Sequence, residues 1–198
     1  QWFACEWPSR ELVNGNNLSE FLIHLSQKQQ ETEIAQAQKI PDSKGKFSQK
    51  PLPELEYTDL NGNLIKLSDL KGNVVVLDFW ATWCGPCRTS TPYLIETYKK
   101  YKDKNFCLLG ISLDQDKSAL LEYIEKHQMS WPQYYDGLGW DNKLWRQLGE
   151  GGIPMIMVID QNGIVKFSDI EASQLENVVS TLLNPNAPLQ DSVEKKAM

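Results

Sequence analysis

The stretch that decides the fold is VVVLDFWATWCGPC, residues 74–87. Its first half is β-branched and aromatic with almost no polar alternation, the pattern of a short strand buried on both faces. Its second half places Cys84 and Cys87 three positions apart around Gly85 and Pro86. Proline suits the first turn of a helix, where its missing N–H would be unpaired anyway. The stretch therefore reads as a strand, a tight turn and a helix that starts at the cysteines. Such a pair can close a redox disulfide, supply half of a metal site, or staple a turn.

The chemistry favours the first reading. A cysteine at a helix N-terminus faces free N–H groups and the positive end of the dipole, and both stabilise a thiolate. That lowers the pKa of Cys84 and makes it the attacking nucleophile. Cys87, one turn further in, is shielded and resolves the mixed disulfide that Cys84 forms. Trp83 offers an apolar face beside the sulfurs. A zinc site needs four ligands; there is no second CxxC, and the only histidines are His24 and His127. A purely structural bridge at this spacing is a poor staple because it is exchangeable. A peroxidatic cysteine stays open as a rival, although it does not need a second cysteine so close.

Two more features join the candidate site. Asp78 lies inside the apolar strand, where a carboxylate is expensive unless used. It reads as a proton acceptor for Cys87, directly or through a water; the alternative is a strand-end acid that reaches solvent or a backbone partner. Gly151-Gly152-Ile153-Pro154 precedes MIMVID. A cis Ile153–Pro154 bond would turn the backbone toward the sulfurs, whereas an ordinary trans proline opening a strand is the commoner arrangement.

Working outward, YTDLNGNLIKL carries Asn61-Gly62, a two-residue hairpin signal. The helix after the cysteines turns Leu94, Ile95, Tyr98 and Tyr101 to one side, with a kink expected at Pro92. FCLLGISL is a second buried strand, and Leu120, Leu121 and Ile124 mark the next helix. Asp141 can cap a short helix bearing Leu144, Trp145 and Leu148. MIMVID, Asn162-Gly163 and IVKF form a second hairpin. Ser173 to Glu176 reads as a capping box before a stripe of Leu175, Val178, Val179 and Leu182. Strands that alternate with helices and close on an antiparallel hairpin predict an α/β fold: a mixed central sheet with helices on both faces.

The 198 residues divide into a polar helical extension and linker (1–50), one domain (51–184) and a flexible tail (185–198). In the extension Ser19 can cap a short helix with Leu18, Phe21, Leu22 and Leu25 on one face, and Pro41 ends it. The net charge is −6 and no Lys/Arg cluster stands out, which argues against a nucleic-acid partner. No run approaches the roughly 18 apolar residues of a membrane span. Four cysteines are too few for a disulfide scaffold in a chain this long. Cys107 reads as a buried small hydrophobe, and Cys5 as an unpaired thiol whose preceding residues fit a lipid attachment signal poorly.

VVVLDFWATWCGPC followed some seventy positions later by GIPMIMVIDQNGIV resembles the thioredoxin fold. The closer resemblance is to the bacterial TlpA/ResA-like thiol-disulfide oxidoreductases, of the AhpC/TSA-redoxin type. GISLDQDKSALLEYIEKHQMSWPQYYDG fits the extra helix and strand inserted in that group, as does the run from Cys87-Arg88 to Pro92. The resemblance implies a thioredoxin-like domain with an N-terminal hairpin. It implies Cys84 as nucleophile, Cys87 as resolving thiol, and Asp78 as the buried acid. Pro154 would be the cis-proline, and Ile153 would offer backbone groups to an extended substrate by strand addition. Trp83, Gly85 and Pro86 would complete the substrate-binding surface. The implied partners are proteins with disulfides or thiols and an unidentified electron-donor reductase. No cofactor and no metal are implied, and the setting is extracytoplasmic, in the periplasm or anchored to the envelope. The Gly-Pro spacer resembles thioredoxin and points to a reductant. A peroxidase of the same fold and a non-catalytic peptide-binding module are the alternatives. Two departures stand out: Ser90 occupies a position where many members carry Glu, and Met155 follows the proline where Thr is common, which would put a soft apolar group near the substrate groove.

Overall fold

The structure is a computed structural model that describes residues 45–184. The expected N-terminal helix, Cys5 and the tail lie outside the described residues. Strands β1 (Glu56–Thr58), β2 (Leu64–Lys66), β3 (Val74–Trp80), β4 (Phe106–Ser112), β5 (Gln133–Tyr135), β6 (Met155–Ile159) and β7 (Val165–Phe167) alternate with helices α1 (Gly85–Tyr101), α2 (Lys117–His127), α3 (Lys143–Leu148) and α4 (Leu175–Leu183). The central sheet runs β5-β4-β3-β6-β7, and β1-β2 is a separate hairpin. β3, β4 and β5 are parallel; β6 and β7 are antiparallel to their neighbours. This is the expected mixed sheet, with α2 and β5 as the inserted helix and strand.

All seven residues of β3 are buried, as its unbroken apolar run requires. Successive side chains point to opposite faces. Trp80 packs against Tyr123 of α2, whose hydroxyl lies 3.2 Å from Thr91 Oγ1 on α1. Tyr101 of α1 meets Phe106, and Lys100 of α1 pairs with Glu176 of α4. So α1, α2 and α4 share the face that carries Val74, Val76, Asp78 and Trp80. On the opposite face Phe79 meets Trp145 of α3, and Tyr57 of the hairpin meets Tyr134. Burying a large apolar side chain contributes about 1.5–3 kcal/mol, so Leu77, Phe79 and Trp80, each at most 2% exposed, anchor both layers.

Several local expectations change. Both Asn-Gly hairpins have three-residue loops rather than two. Gly62 N–H donates to Asp59 O while Asp59 N–H donates to Asn63 O; Asp160, Gly163 and Ile164 repeat the pattern. The two glycines take φ of +86° and +84°, the left-handed residue that follows a type I turn. Each leading Asp carboxylate also accepts two loop N–H groups. The short helix α3 is capped by Asn142, not Asp141: Asn142 Oδ1 accepts from Leu144 and Trp145. The capping box at Ser173 does not form, because residues 172–174 make a 3₁₀ turn and Ser173 Oγ donates to Glu171 instead. Leu121 is exposed, so the buried face of α2 is narrower than expected. Cys107 is half-buried rather than buried. Gln49 and Lys50, the end of the stretch read as linker, are tied to β7 by Gln49 N–H to Val165 O and Val165 N–H to Lys50 O.

Candidate active site

β3 ends at Trp80, and the next three residues must turn the chain into α1. Asp114, just past the end of β4, holds that turn. Its carboxylate is 1% exposed and accepts from Thr82 N–H, Thr82 Oγ1 and Ser112 Oγ. Cys84 N–H donates to Ala81 O at 3.2 Å, and Arg88 N–H closes the first helical bond on Cys84 O. Cys84 is thus the helix cap, with extended backbone, and its sulfur accepts from Cys87 N–H at 3.1 Å. Cys84 and Cys87 are joined in a disulfide, and both are buried.

β6 runs antiparallel to β3, with Phe79 opposite Met155. The residues just before β6 must therefore lie beside those just after β3. The Ile153–Pro154 bond is cis, and Ile153 O is 3.8 Å from Cys84 Sγ. The strand that carries Asp78 and the one that follows Pro154 thus converge on the disulfide. Pro154, Pro86, Ile156, Ile170, Tyr93 and Glu171 are among the residues that line an open groove of about 720 Å³. Met155 does not face this groove. It is 1% exposed and its sulfur accepts from Glu150 N–H, so period-two alternation turns it away while Pro154 and Ile156 face the opening. Gly85 and Pro86 are exposed at the start of α1, and Ser90 bonds back to Pro86 O.

Asp78 is 1% exposed, on the face covered by α1, and its Oδ1 has no hydrogen-bond partner among the described residues. Burial pushes its carboxyl up to about 7, because desolvation disfavours the charged form. A buried acid that titrates near neutrality can take or give a proton there. Trp83 is 53% exposed and packs at a tilt against Trp140, which is 49% exposed and meets Trp145, whose ring in turn meets Phe79. An aromatic ladder thus runs from the mouth of the site into the core. Trp140, Asp114 and Gln133 were not singled out from the sequence; only the position of Asp114, two residues past a strand-end serine, hinted at a loop clamp.

The Redoxin family model matches residues 35–183. The chain belongs to the Redoxin family. Among its relatives is the thiol-disulfide oxidoreductase ResA of Bacillus thuringiensis (strain Al Hakam), 35% identical over 116 residues, a match that spans 59% of this chain but 65%, just under two thirds, of the relative. ResA of Bacillus thuringiensis subsp. konkukian is 31% identical over 139 residues, covering 70% of this chain and 78% of the relative. In three dimensions the chain is similar to the thioredoxin domain of a thiol-disulfide oxidoreductase from Bacteroides vulgatus, with a TM-score of 0.64, 30% identity, and coverage of 71% of this chain and 100% of that one. A thiol-disulfide oxidoreductase from Bacteroides fragilis gives a TM-score of 0.61 at 29% identity, covering 67% and 99%. The Redoxin chain thus has the thioredoxin fold, as its central strand and cysteine motif led one to expect.

Proposed function

We propose that this chain is a thiol-disulfide oxidoreductase that reduces disulfides in other proteins. The observation that carries the reading is the Cys84–Cys87 pair at the start of α1, with Cys84 Sγ 3.8 Å from the carbonyl that precedes a cis-proline. In the dithiol form Cys84 thiolate attacks one sulfur of the substrate disulfide. A mixed disulfide forms, and the other substrate sulfur leaves as a thiolate and takes a proton. Cys87 then gives its proton to Asp78 and attacks Cys84 Sγ. The second substrate thiolate leaves, the Cys84–Cys87 bond closes, and two electrons have passed to the substrate. The substrate segment lies extended against Ile153 and Pro154, in the groove that Pro86 borders, with Trp83, Gly85 and Pro86 on its other side. Regeneration needs a dithiol reductase as electron donor.

The direction of electron flow is supported by what surrounds Cys84. A strong oxidant stabilises its reduced thiolate heavily. Here the hydrogen bond to Cys84 Sγ comes from Cys87 N–H, and no basic residue stands between Cys84 and Arg88. The resemblance to the TlpA/ResA-like group implies a setting outside the cytoplasm, and we place this chain there; no helix among the described residues is long and apolar enough to cross a membrane. The test is the reduction potential of the pair, equilibrated against thiol buffers with Cys5 and Cys107 replaced. A value near about −270 mV supports a reductant, and one near about −120 mV refutes that direction. Cys87→Ser should trap the mixed disulfide with a substrate, and Cys84→Ser should abolish it. Asp78→Asn should slow resolution more than formation; equal slowing removes Asp78 from the proton transfer.

A further inference from the structure

The sheet register puts Gln133, Gly110 and Asp78 in one row across β5, β4 and β3. In parallel strands such a row shares one face, so Gln133 and Asp78 stand on the α1 side with only a glycine between them. Gly110 leaves that gap because a side chain would not fit. A Cβ there would lie 2.0 Å from Gln133 Oε1 and 2.7 Å from Nε2. The Gln133 amide is therefore laid over Gly110, toward the strand that carries Asp78.

Its orientation is fixed. Trp80 Nε1–H, which can only donate, gives a 3.1 Å bond to Gln133 Oε1. The amide nitrogen is then left as a donor with no partner among the described residues, and Gln133 is 3% exposed. The other buried atoms in the same condition are Tyr57 Oη, Trp131 Nε1 and Asp78 Oδ1. Tyr57 lies on the opposite face of the sheet, against Tyr134. Trp131 is another donor. Asp78 Oδ1 is the acceptor on the right face, in the right row. Buried donors and acceptors left unpaired are costly, and these two complement each other.

We propose that Gln133 is a positioning residue for Asp78: its Nε2–H donates toward Asp78 Oδ1 across one bridging water and favours the carboxylate. The inserted strand β5 thereby reaches into the redox chemistry. This deepens the proposed function, since it rests on Asp78 as the proton acceptor of Cys87. A donor aimed at the carboxylate works against the desolvation that raises Asp78, and keeps the acid in a range where it can both accept and release a proton near neutrality.

The experiment uses the oxidised full chain, in which the Cys84–Cys87 sulfurs do not titrate. The titratable side chains on this side include Tyr123 and, stacked on its ring, His127 of α2, Tyr98, Tyr101 and Lys100 of α1, and Glu176 of α4, and burial is the cause of the Asp78 shift. NMR follows the Asp78 carboxyl carbon and the Gln133 side-chain amide across the pH range. In the unaltered protein both signals should move with one midpoint; an amide signal that ignores the Asp78 transition overturns the proposal. Gln133→Met should raise the Asp78 midpoint by about one pH unit. Gly110→Ala, which displaces the amide, should raise it similarly, and the double variant should go no further than either single change. An unmoved midpoint in Gln133→Met, or fully additive shifts, refutes the pairing. These readouts do not depend on activity. If Asp78→Asn resolves mixed disulfides normally while the midpoints behave as stated, the proton-acceptor reading fails and the pairing stands.

Discussion

Replacing Asp78 by asparagine should make the oxidised protein more stable at neutral pH, and by an amount that depends on pH. The carboxyl sits at about 7 in the folded chain against 3.8 when free, and burial is the cause. The folded state thus holds its proton longer than the unfolded state does. Below about pH 4 both states are protonated and the acid exacts no penalty. Between about pH 4 and pH 7 stability falls as pH rises, because the unfolded chain ionises and the folded one does not. Above that window both are ionised and the loss is complete. A shift of about 3 units at about 1.4 kcal/mol each gives a loss of about 4 kcal/mol. That figure is an upper bound, since a donor such as Gln133 would offset part of it. Asparagine keeps the shape and never ionises. The stability of Asp78→Asn minus that of the unaltered chain should therefore climb across the window and level off above it. Urea unfolding at a series of pH values, followed by tryptophan emission with the disulfide intact, measures this difference. A difference that stays flat between about pH 4 and pH 7 would show that Asp78 ionises freely in the folded protein, and the desolvation argument would fall.

Two further outcomes are expected. In the reduced protein at neutral pH, iodoacetamide should modify Cys84 about tenfold or more faster than Cys107, whose half-buried thiol is pushed up by burial; equal rates by mass spectrometry would deny Cys84 its activation. Asn142→Ala should cost about 2–4 kcal/mol in chemical denaturation, because Asn142 is fully buried, caps α3 through two N–H groups, and donates to Ser112 O; a loss below about 1 kcal/mol would mean that α3 recaps on a neighbour.

The central strand and the start of α1 were legible because two local signals coincide there: an unbroken apolar run, and a cysteine pair around Gly-Pro. The cis bond at Pro154 was legible only as one of two options, since trans is the commoner state for any X-Pro. Caps were harder. Asp141 and Asn142 are both good cap residues, and backbone geometry, not residue type, decides between them. Ser173 and Glu176 have the right spacing, but a 3₁₀ turn over 172–174 takes the place a cap needs. In both hairpins the Asp ahead of the Asn-Gly pair was the missed cue, since its carboxylate gathers the N–H groups of a longer loop. Met155 was misread because its place next to Pro154 in sequence hides the alternation that turns it away. The row from Gln133 to Asp78 left no local trace at all: it exists only once β4 and β5 are set in register.

The sulfur that reacts is also the sulfur that caps α1. Reduction therefore removes no support from the helix; a thiolate is a stronger acceptor for Cys87 N–H than a disulfide sulfur. The start of α1 thus keeps its cap when the pair is reduced, and reduction adds a negative charge at Cys84, beside the Ile153 carbonyl. On the function proposed above, a substrate and an electron donor would share one footprint and sort the two forms by charge rather than by shape.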